Sequence, residues 1–312
     1  MEAHAAHPSS APRAARLRLP GVGAGLGRGL VVLYLSVLVL LPLAAMTDQS
    51  LSQGFSTFWD QVTTPQAVRS LELTIGASLV VVLINGVFGT ILAWLLVRDQ
   101  FPGKAVINAV IDLPFALPTI VASLILIELW GAKSPFGVDF AATRLAVVVA
   151  LMFVTLPFVV RAVQPLLIEM DRDMEEAAAS LGAGGFTVFR RIIFPNLLPG
   201  IAAGVALAFA RALGEFGSVL LFAGGLADTT VSSVYIKQLI ENGNDTGAAA
   251  VSVVLLLASL ACLVVVSLIQ RWGSRHDRST GAGVTNMPMS GLPYDPDGSD
   301  GPDQQEEDDQ RE

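Results

Sequence analysis

Charged residues and cysteine are both scarce in this sequence. Asp, Glu, Lys and Arg make up 15% of the 312 residues, whereas a typical soluble domain has about 25%. Hydrophobic residues reach 53%, which excludes both an ordinary soluble enzyme and a largely disordered chain. The single cysteine, Cys262, excludes an intrachain disulfide and a cysteine-based metal site. The three histidines, two of them at positions 4 and 7, offer little for a metal or acid–base centre.

Long hydrophobic runs are abundant and predict a membrane protein, because a helix needs about 20 mostly apolar residues to cross a bilayer. We therefore expect an all-α, multi-pass bundle of six transmembrane helices. The first run also has the arginines before it and the small residues after it that are typical of a secretory signal, but its length favours a retained helix. The runs cover residues 29–46, 71–97, 105–130, 145–168, 197–223 and 248–270.

The distribution of positive charge indicates the orientation of the bundle, because Lys and Arg collect in cytoplasmic loops. If the N-terminus lies inside, twelve of the Lys and Arg residues near the spans fall on the inner side and four on the outer side. We therefore predict a protein of the plasma or inner membrane with both termini cytoplasmic. Segments 47–70 and 224–247 are then exterior, and 169–199 is the one long interior loop between spans.

Composition divides the chain into one membrane domain, residues 29–271, and two tails. Residues 1–28 are rich in Ala, Pro, Gly and Arg, and residues 272–312 are polar and then acidic. Nine acidic residues lie between Asp295 and Glu312. Such segments bury too little apolar surface to offset the entropy of ordering, so we expect both tails to be disordered and cytosolic.

The interior loop alternates a helical pattern with helix breakers. Apolar residues recur at helical spacing from Met170 onwards, and Gly182 is a typical helix terminator. The pattern predicts a surface helix over about 173–181 and a second short helix over 186–193, stopped by Pro195. By pattern alone, this loop is either a small rigid protrusion that another protein approaches or an amphipathic helix resting on lipid headgroups.

The residue spacing in this loop resembles the EAA loop of type I ABC importer permeases, the MetI-like family. The family pattern is EAA, three residues, Gly, nine residues, Ile, one residue, Leu-Pro, and the visible departure is Phe194 in place of Leu. The resemblance implies a coupling helix that docks on a separate ATP-hydrolysing subunit and passes its closure on to the membrane helices. The coupling residues that it implies are Glu176, Ala177, Ala178, Gly182, Ile192 and Pro195.

A nucleotide-binding motif is missing from the chain. No GxxxxGKS/T sequence occurs, and the glycine-rich stretch 21–29 lacks the Lys-Ser/Thr ending. We therefore expect no cofactor here and expect ATP–Mg to bind the partner ATPase, so that this chain is a transport subunit and not an enzyme. An intramembrane enzyme using Asp112 or Glu215 lacks HExxH, GxSxG with a partner histidine, and paired aspartates. A signalling scaffold leaves the EAA spacing unexplained.

Three further stretches resemble the T subunit of the sulfate/thiosulfate permeases: DLPFALPT at 112–119, RALGEFGS at 211–218, and the segment 231–257. The likeness covers residues 29–271. It implies sulfate and thiosulfate as solutes, a non-identical W-type second permease subunit, two ATP-binding subunits, and a binding protein that docks on the exterior segments. Molybdate permeases share the EAA loop and a GEFG-like stretch, so molybdate or tungstate is the alternative solute. No feature indicates nucleic-acid binding.

Three ionisable residues in the hydrophobic runs are candidates for the solute pathway or its gate: Arg211, Glu215 and Asp112. Arg211 lies about 18 Å past Pro199 along the fifth run, and Glu215 follows four residues later on the same helix face. Charges at this depth face a cavity, a partner or the bundle interior, so the pair is either a gate or a structural ion pair. Asp112 precedes two prolines. Either the helix breaks there and lines the pathway, or Asp112 is an ordinary carboxylate at the inner membrane interface. Arg161 is expected to reach the inner lipid interface.

Overall fold

The computed structural model describes residues 22–281, and the regular elements in that range are all helical. Five-residue π turns join α1 to α2 (Ser36–Leu40) and α9 to α10 (Phe189–Ile193). The helices, in chain order, are α1 Val22–Leu35, α2 Leu41–Leu51, α3 Phe55–Val62, α4 Pro65–Arg98, α5 Lys104–Ala116, α6 Thr119–Trp130, α7 Arg144–Glu169, α8 Asp173–Ser180, α9 Gly185–Val188, α10 Phe194–Leu213, α11 Gly217–Phe222, α12 Ser232–Glu241 and α13 Asp245–Gly281.

The helices reproduce the predicted set of membrane spans. Within the described residues, five continuous helical stretches are long and apolar enough to cross a bilayer, and the third predicted run is made of two shorter helices, α5 and α6. The prediction of an all-α bundle with six spans is therefore confirmed. The five long stretches are Gly27–Leu51, Pro65–Arg98, Arg144–Glu169, Gly185–Leu213 and Asp245–Val265.

The break in the third span lies at Leu117 and Pro118. Leu117 has an extended backbone (φ −86°, ψ 135°), because the ring of the following Pro118 disfavours the helical conformation of the residue before it. The carbonyl of Pro118 then accepts hydrogen bonds from the N–H groups of Val121 (2.9 Å) and Ala122 (3.2 Å), which starts α6. The helix break that the prolines after Asp112 suggested is therefore present in the third span.

The fifth span is also interrupted, which the sequence pattern did not predict. α10 ends at Leu213 and α11 begins at Gly217, so the expected continuous helix over 197–223 is wrong. Gly217 packs so closely on Thr119 of the third span that a Cβ atom on the glycine would overlap the threonine hydroxyl. The Ser123 hydroxyl also donates a hydrogen bond to the Gly217 carbonyl (2.5 Å). The two interrupted spans therefore meet where the fifth span resumes.

The centre of the bundle is the crossing of α4, α7 and α10. Gly89 of α4 and Gly204 of α10 both lie against Val159 of α7, and a Cβ atom on either glycine would come within 2.9 Å of it. Val159 is fully buried. Asn85 of α4 donates a hydrogen bond from its side-chain amide to the Met152 carbonyl of α7 (3.0 Å). Small residues and one buried amide thus set the separation of the central helices.

We expect the Gly89→Val substitution to destabilise the protein, because the added side chain has no room between α4 and α7. Overpacking a dense core costs about 1–3 kcal/mol. The matched control is Gly76→Val on the same helix, where a Cβ atom meets nothing within 4 Å. The measurement is the apparent melting temperature of the detergent-solubilised protein, read by size-exclusion chromatography after heating. Equal melting temperatures for the two variants would contradict the packing described for Gly89.

The first span lies at the edge of the bundle. The side chains of Leu30 (69%), Leu33 (60%) and Leu40 (60%) are exposed, and the span reaches the rest of the protein through α2, which packs on α13. Exposed apolar side chains on a membrane helix face lipid or another subunit, so this span contributes little to the core.

Helices extend into both segments predicted to be tails. α1 begins at Val22, inside the predicted tail 1–28, and α13 continues to Gly281, inside the predicted tail 272–312. Helix propagation explains both extensions, because each added residue gains a backbone hydrogen bond once the helix exists. The rest of both segments lies outside the described residues.

Candidate functional site

The interior loop contains the predicted surface helix as α8. Its C-terminal end is closed by hydrogen bonds from the Gly182 N–H to the Ala179 carbonyl (2.9 Å) and from the Ala183 N–H to the Ala178 carbonyl (3.0 Å). These two bonds form a Schellman cap, which requires a left-handed residue after the helix. Gly182 has φ +86°, so the prediction that Gly182 ends this helix is confirmed.

The EAA residues divide between the surface and the core. Glu176 and Ala177 are exposed, whereas Ala178 packs against a hydrophobic cluster of the bundle. Beyond them, Leu181 is 90% exposed and Phe186 is 76% exposed. Large exposed apolar side chains on a loop outside the spans are typical of a contact surface. The loop is therefore anchored on one side and open on the other.

The second half of the loop runs without interruption into the fifth span. The stretch Gly185–Leu213 is one continuous helical segment, so the predicted stop at Pro195 is wrong. Proline lacks an N–H and displaces the carbonyl four residues earlier. The wider π turn at Phe189–Ile193 accommodates both effects, and Pro195 occupies the first turn of α10. Pro195 is exposed, and Ile192 packs partly buried against the hydrophobic cluster.

Arg98, which sequence reasoning missed, joins the interior loop to the second span. Arg98 lies in the last turn of α4 and forms an ion pair with Glu175 in the first turn of α8. Its guanidinium also lies 5.2 Å from the centre of the Trp94 ring. The predicted topology places Arg98 and Glu175 on the same, inner side of the membrane, which makes a contact between them possible. The topology does not predict which of the many inner charges form pairs.

The predicted ion pair of the fifth span is formed, but Glu215 lies in the break after α10 and not on a continuous helix. Arg211 Nη1 is 2.5 Å from Glu215 Oε2, and the side chains are 32% and 1% exposed, respectively. Glu215 Oε1 accepts a hydrogen bond from the Ser218 N–H of α11 (2.8 Å). The Glu215 carbonyl accepts one from the Ser233 hydroxyl of α12 (2.6 Å). Groups of α10 and α11 therefore hold the carboxylate of Glu215 in place, and α12 holds its backbone carbonyl.

Asp112 is part of a polar cluster between α5 and α7. Arg161 Nε donates a hydrogen bond to Asp112 Oδ1 (2.8 Å), and Arg161 Nη2 contacts the second carboxylate oxygen. The same guanidinium donates to the side-chain oxygens of Asn108 (3.2 Å) and Gln164 (2.5 Å). The expectation that Arg161 reaches only the lipid interface is therefore wrong. Because Asp112 is 46% exposed and Arg161 34% exposed, the cluster lies on an open face of the bundle.

The two segments predicted to be exterior form one surface. The Asn244 side-chain amide donates a hydrogen bond to Gln61 Oε1 of α3 (2.8 Å). The Gln53 amide lies within 3.4 Å of the Thr246 hydroxyl. The structure therefore brings together the segments that the sequence marked separately as docking candidates.

Metal-ligating side chains do not gather in the described part of the chain. Within residues 22–281, no group of three or more His, Cys, Asp or Glu side chains is placed to hold a metal ion. The ionisable groups that do meet in the spans include the two ion pairs described above, Arg211 with Glu215 and Arg161 with Asp112.

Comparison with known proteins identifies the family. Residues 85–276 match the family described as "Binding-protein-dependent transport system inner membrane component". The chain belongs to this family. It is therefore a multi-pass component of an inner-membrane transport system and not an enzyme.

Curated relatives within this family carry a more specific name. The chain is 43% identical over 253 residues to the "Sulfate transport system permease protein CysT" of Synechocystis sp., which covers 78% of this chain and 88% of the relative. It is 41% identical over 266 residues to the protein of the same name from Salmonella typhimurium, covering 82% of this chain and 95% of the relative. The resemblance to permease T subunits is thereby confirmed.

Solved structures share the fold at low sequence identity. A bacterial alginate ABC transporter in complex with an alginate pentasaccharide-bound periplasmic protein matches with a TM-score of 0.67 and 16% identity, covering 80% of this chain and 93% of that chain. An inward-facing MetNI methionine ABC transporter matches with a TM-score of 0.52 and 20% identity, covering 66% and 95%. These matches confirm the bundle architecture.

Proposed function

We propose that this protein is the membrane-spanning permease subunit of an ATP-driven importer that brings sulfate, and thiosulfate as well, into the cell. The observation that supports sulfate as the solute is the 40–45% identity, over about four-fifths of the chain, to relatives named sulfate transport system permease protein CysT. Molybdate or tungstate is the alternative solute, because those permeases share the EAA loop and a GEFG-like stretch.

The proposed assembly contains a non-identical W-type permease subunit, two ATP-binding subunits and a solute-binding protein. The exposed cluster at Asp112 and Arg161 supports a second permease, since ionisable groups at membrane depth face a partner or a water-filled cavity. The joined exterior segments are the proposed docking surface for the binding protein. ATP–Mg belongs to the ATP-binding subunits, and this chain needs no cofactor. Both termini lie in the cytoplasm in this arrangement, as the positive charges favour.

The interior loop is the proposed contact with the ATP-binding subunit. ATP-driven closure shifts the membrane helices only if the bound partner has different affinities for the two arrangements of the loop. The loop is suited to this task because its second half continues directly into α10. Glu176, Ala177 and Gly182 lie on the open side, and Ala178 and Ile192 anchor the loop to the core. Pro195 lies in the first turn of α10.

The gate is proposed where the interrupted third and fifth spans meet, at Thr119 and Gly217. Irregular backbone at membrane depth is tolerated where it is buried in protein or lines a cavity. The Arg211–Glu215 ion pair secures the fifth-span break, and Asp112 with its cluster lines the inner part of the pathway.

Uptake of radiolabelled sulfate tests the proposed solute. The host lacks its own sulfate permease and expresses this chain together with the partner subunits. We expect uptake that excess unlabelled thiosulfate blocks and that excess molybdate leaves unchanged. Stronger competition by molybdate than by unlabelled sulfate would favour the alternative solute. The absence of sulfate uptake would contradict the proposed function.

A further inference from the structure

The inner ends of two helices face each other through one ion pair. Arg98 occupies the last turn of α4, and Glu175 the first turn of α8. Each charge suits its own helix, because the C-terminal end of a helix is partially negative and the N-terminal end partially positive. The Arg98 side chain is 10% exposed and that of Glu175 is 21% exposed, so water and salt screen this pair less than a surface pair.

Aromatic side chains hold α4 to the other half of the interior loop. The Trp94 ring, which lies 5.2 Å from the Arg98 guanidinium, packs edge-on against Phe189, with 6.2 Å between ring centres. Phe189 belongs to the π turn that leads into α10, and its ring lies 6.1 Å from that of Phe194. The last two turns of α4 therefore contact both halves of the loop, α8 through Arg98 and the π turn through Trp94.

α4 also reaches the outer surface. Its 34 residues span about 51 Å at 1.5 Å per residue. In its outer third, the Thr74 hydroxyl accepts a hydrogen bond from the Ser232 N–H (2.8 Å), and the hydroxyl oxygens of the two residues lie 3.1 Å apart. Ser232 begins α12, which lies in the second exterior segment. One continuous helix thus connects the interior loop to the outer surface.

We propose that Arg98 is a positioning residue for coupling. Through its ion pair with Glu175 it fixes α8 to α4, so that a displacement of the interior loop moves α4 and, through Thr74 and Ser232, the outer surface. The proposal rests on the proposed function, in which the loop contacts the ATP-binding subunit. Without this pair α8 keeps its covalent link to the fifth span but loses its polar link to the second.

The decisive measurement is the number of sulfate ions imported per ATP hydrolysed by the complete complex in proteoliposomes. We expect Arg98→Glu and Glu175→Arg each to lower this ratio at least about tenfold while ATP hydrolysis continues, because like charges then face each other. The double variant R98E/E175R is expected to recover to within about threefold of the native ratio, as coupled neighbours do. Arg98→Lys is expected to lie between, because lysine lacks the planar fork that stacks and pairs.

Lys104→Glu is the matched control, because Lys104 also lies on the inner side and donates to the Asp99 carbonyl (3.1 Å) rather than to a carboxylate. It is expected to leave the ratio unchanged. A purely structural role of Arg98 would lower the amount of assembled complex and leave the ratio per complex intact. Unchanged ratios in both single variants, or a double variant no better than either, would overturn the proposal.

Limited chymotrypsin digestion of the purified full chain separates this proposal from the proposed function, because it needs no transport. Leu181 and Phe186 are the exposed cleavage positions. Faster cleavage in R98E and recovery in R98E/E175R are expected even if the native complex moves no sulfate. A native complex that moves no sulfate would contradict the proposed solute, but it would leave the role of the ion pair intact. Unchanged cleavage in R98E would overturn the claim that Arg98 fixes α8.

Discussion

Replacing Gly182 by valine is expected to remove most sulfate uptake while the assembled complex continues to hydrolyse ATP. Gly182 has φ +86°, and a left-handed backbone costs a residue with a Cβ atom about 1–2 kcal/mol. Such a cost lowers the population of the capped loop by roughly 5–30-fold. Steric overlap within the chain is not the cause, since a Cβ atom at this position meets nothing within 4 Å.

Gly182→Asn is the matched control for this experiment. Asparagine adopts the left-handed conformation more readily than other residues with a side chain, so the Schellman cap should form and uptake should stay close to the native level. Both variants are compared in proteoliposomes for sulfate uptake and ATP hydrolysis, with insertion checked by immunoblot of the membranes. Normal uptake by the valine variant would count strongly against the coupling role of the loop.

The Arg211→Ala substitution is expected to lower sulfate uptake at least tenfold. It leaves the Glu215 carboxylate, which is 1% exposed, without its counter-charge. Breaking a buried ion pair by removing one partner costs about 3–5 kcal/mol, a large part of a typical folding free energy. The ATP-binding subunits should still associate, because residue 211 lies about 26 Å along α10 from its start at the interior loop. The measurements are sulfate uptake and co-purification of the ATP-binding subunits.

The double variant R211A/E215Q distinguishes a gate from a packing contact. It removes both charges, and the glutamine oxygen still accepts the hydrogen bond that the Ser218 N–H donates to Glu215. We expect the amount of assembled complex to recover, because no buried charge is left unpaired. Uptake per complex should stay low if the ion pair controls the gate. Recovery of uptake to the native level would leave the pair a structural role only.

The break in the fifth span is well supplied with hydrogen bonds. The carboxylate of Glu215 accepts from the backbone of α11, and the Ser233 hydroxyl donates to the Glu215 carbonyl. The Ser123 hydroxyl donates to the Gly217 carbonyl. The side chain of Glu215 itself and two hydroxyls from distant parts of the chain thus satisfy backbone groups that a continuous helix would pair by itself. This lowers the cost of an interruption at membrane depth.

Local sequence properties were sufficient to predict the positions of the spans, the long loop between the fourth and fifth spans, and the family. Hydrophobic length and the asymmetry of positive charge need no knowledge of neighbouring helices. The end of α8 was also predictable, because a Schellman cap demands a residue type, and Gly182 supplies it at the required position. The EAA spacing placed the same residues in a permease family, which the match over residues 85–276 confirms.

The tertiary structure decided which distant groups meet. Arg161 pairs with Asp112 across 49 positions and Arg98 with Glu175 across 77, and a periodic pattern contains no information at such separations. The fifth-span break depends on the contact of Gly217 with Thr119, and the continuity through Pro195 depends on a π turn packed against α4. In each case the energy comes from groups that only the assembled bundle brings within contact distance.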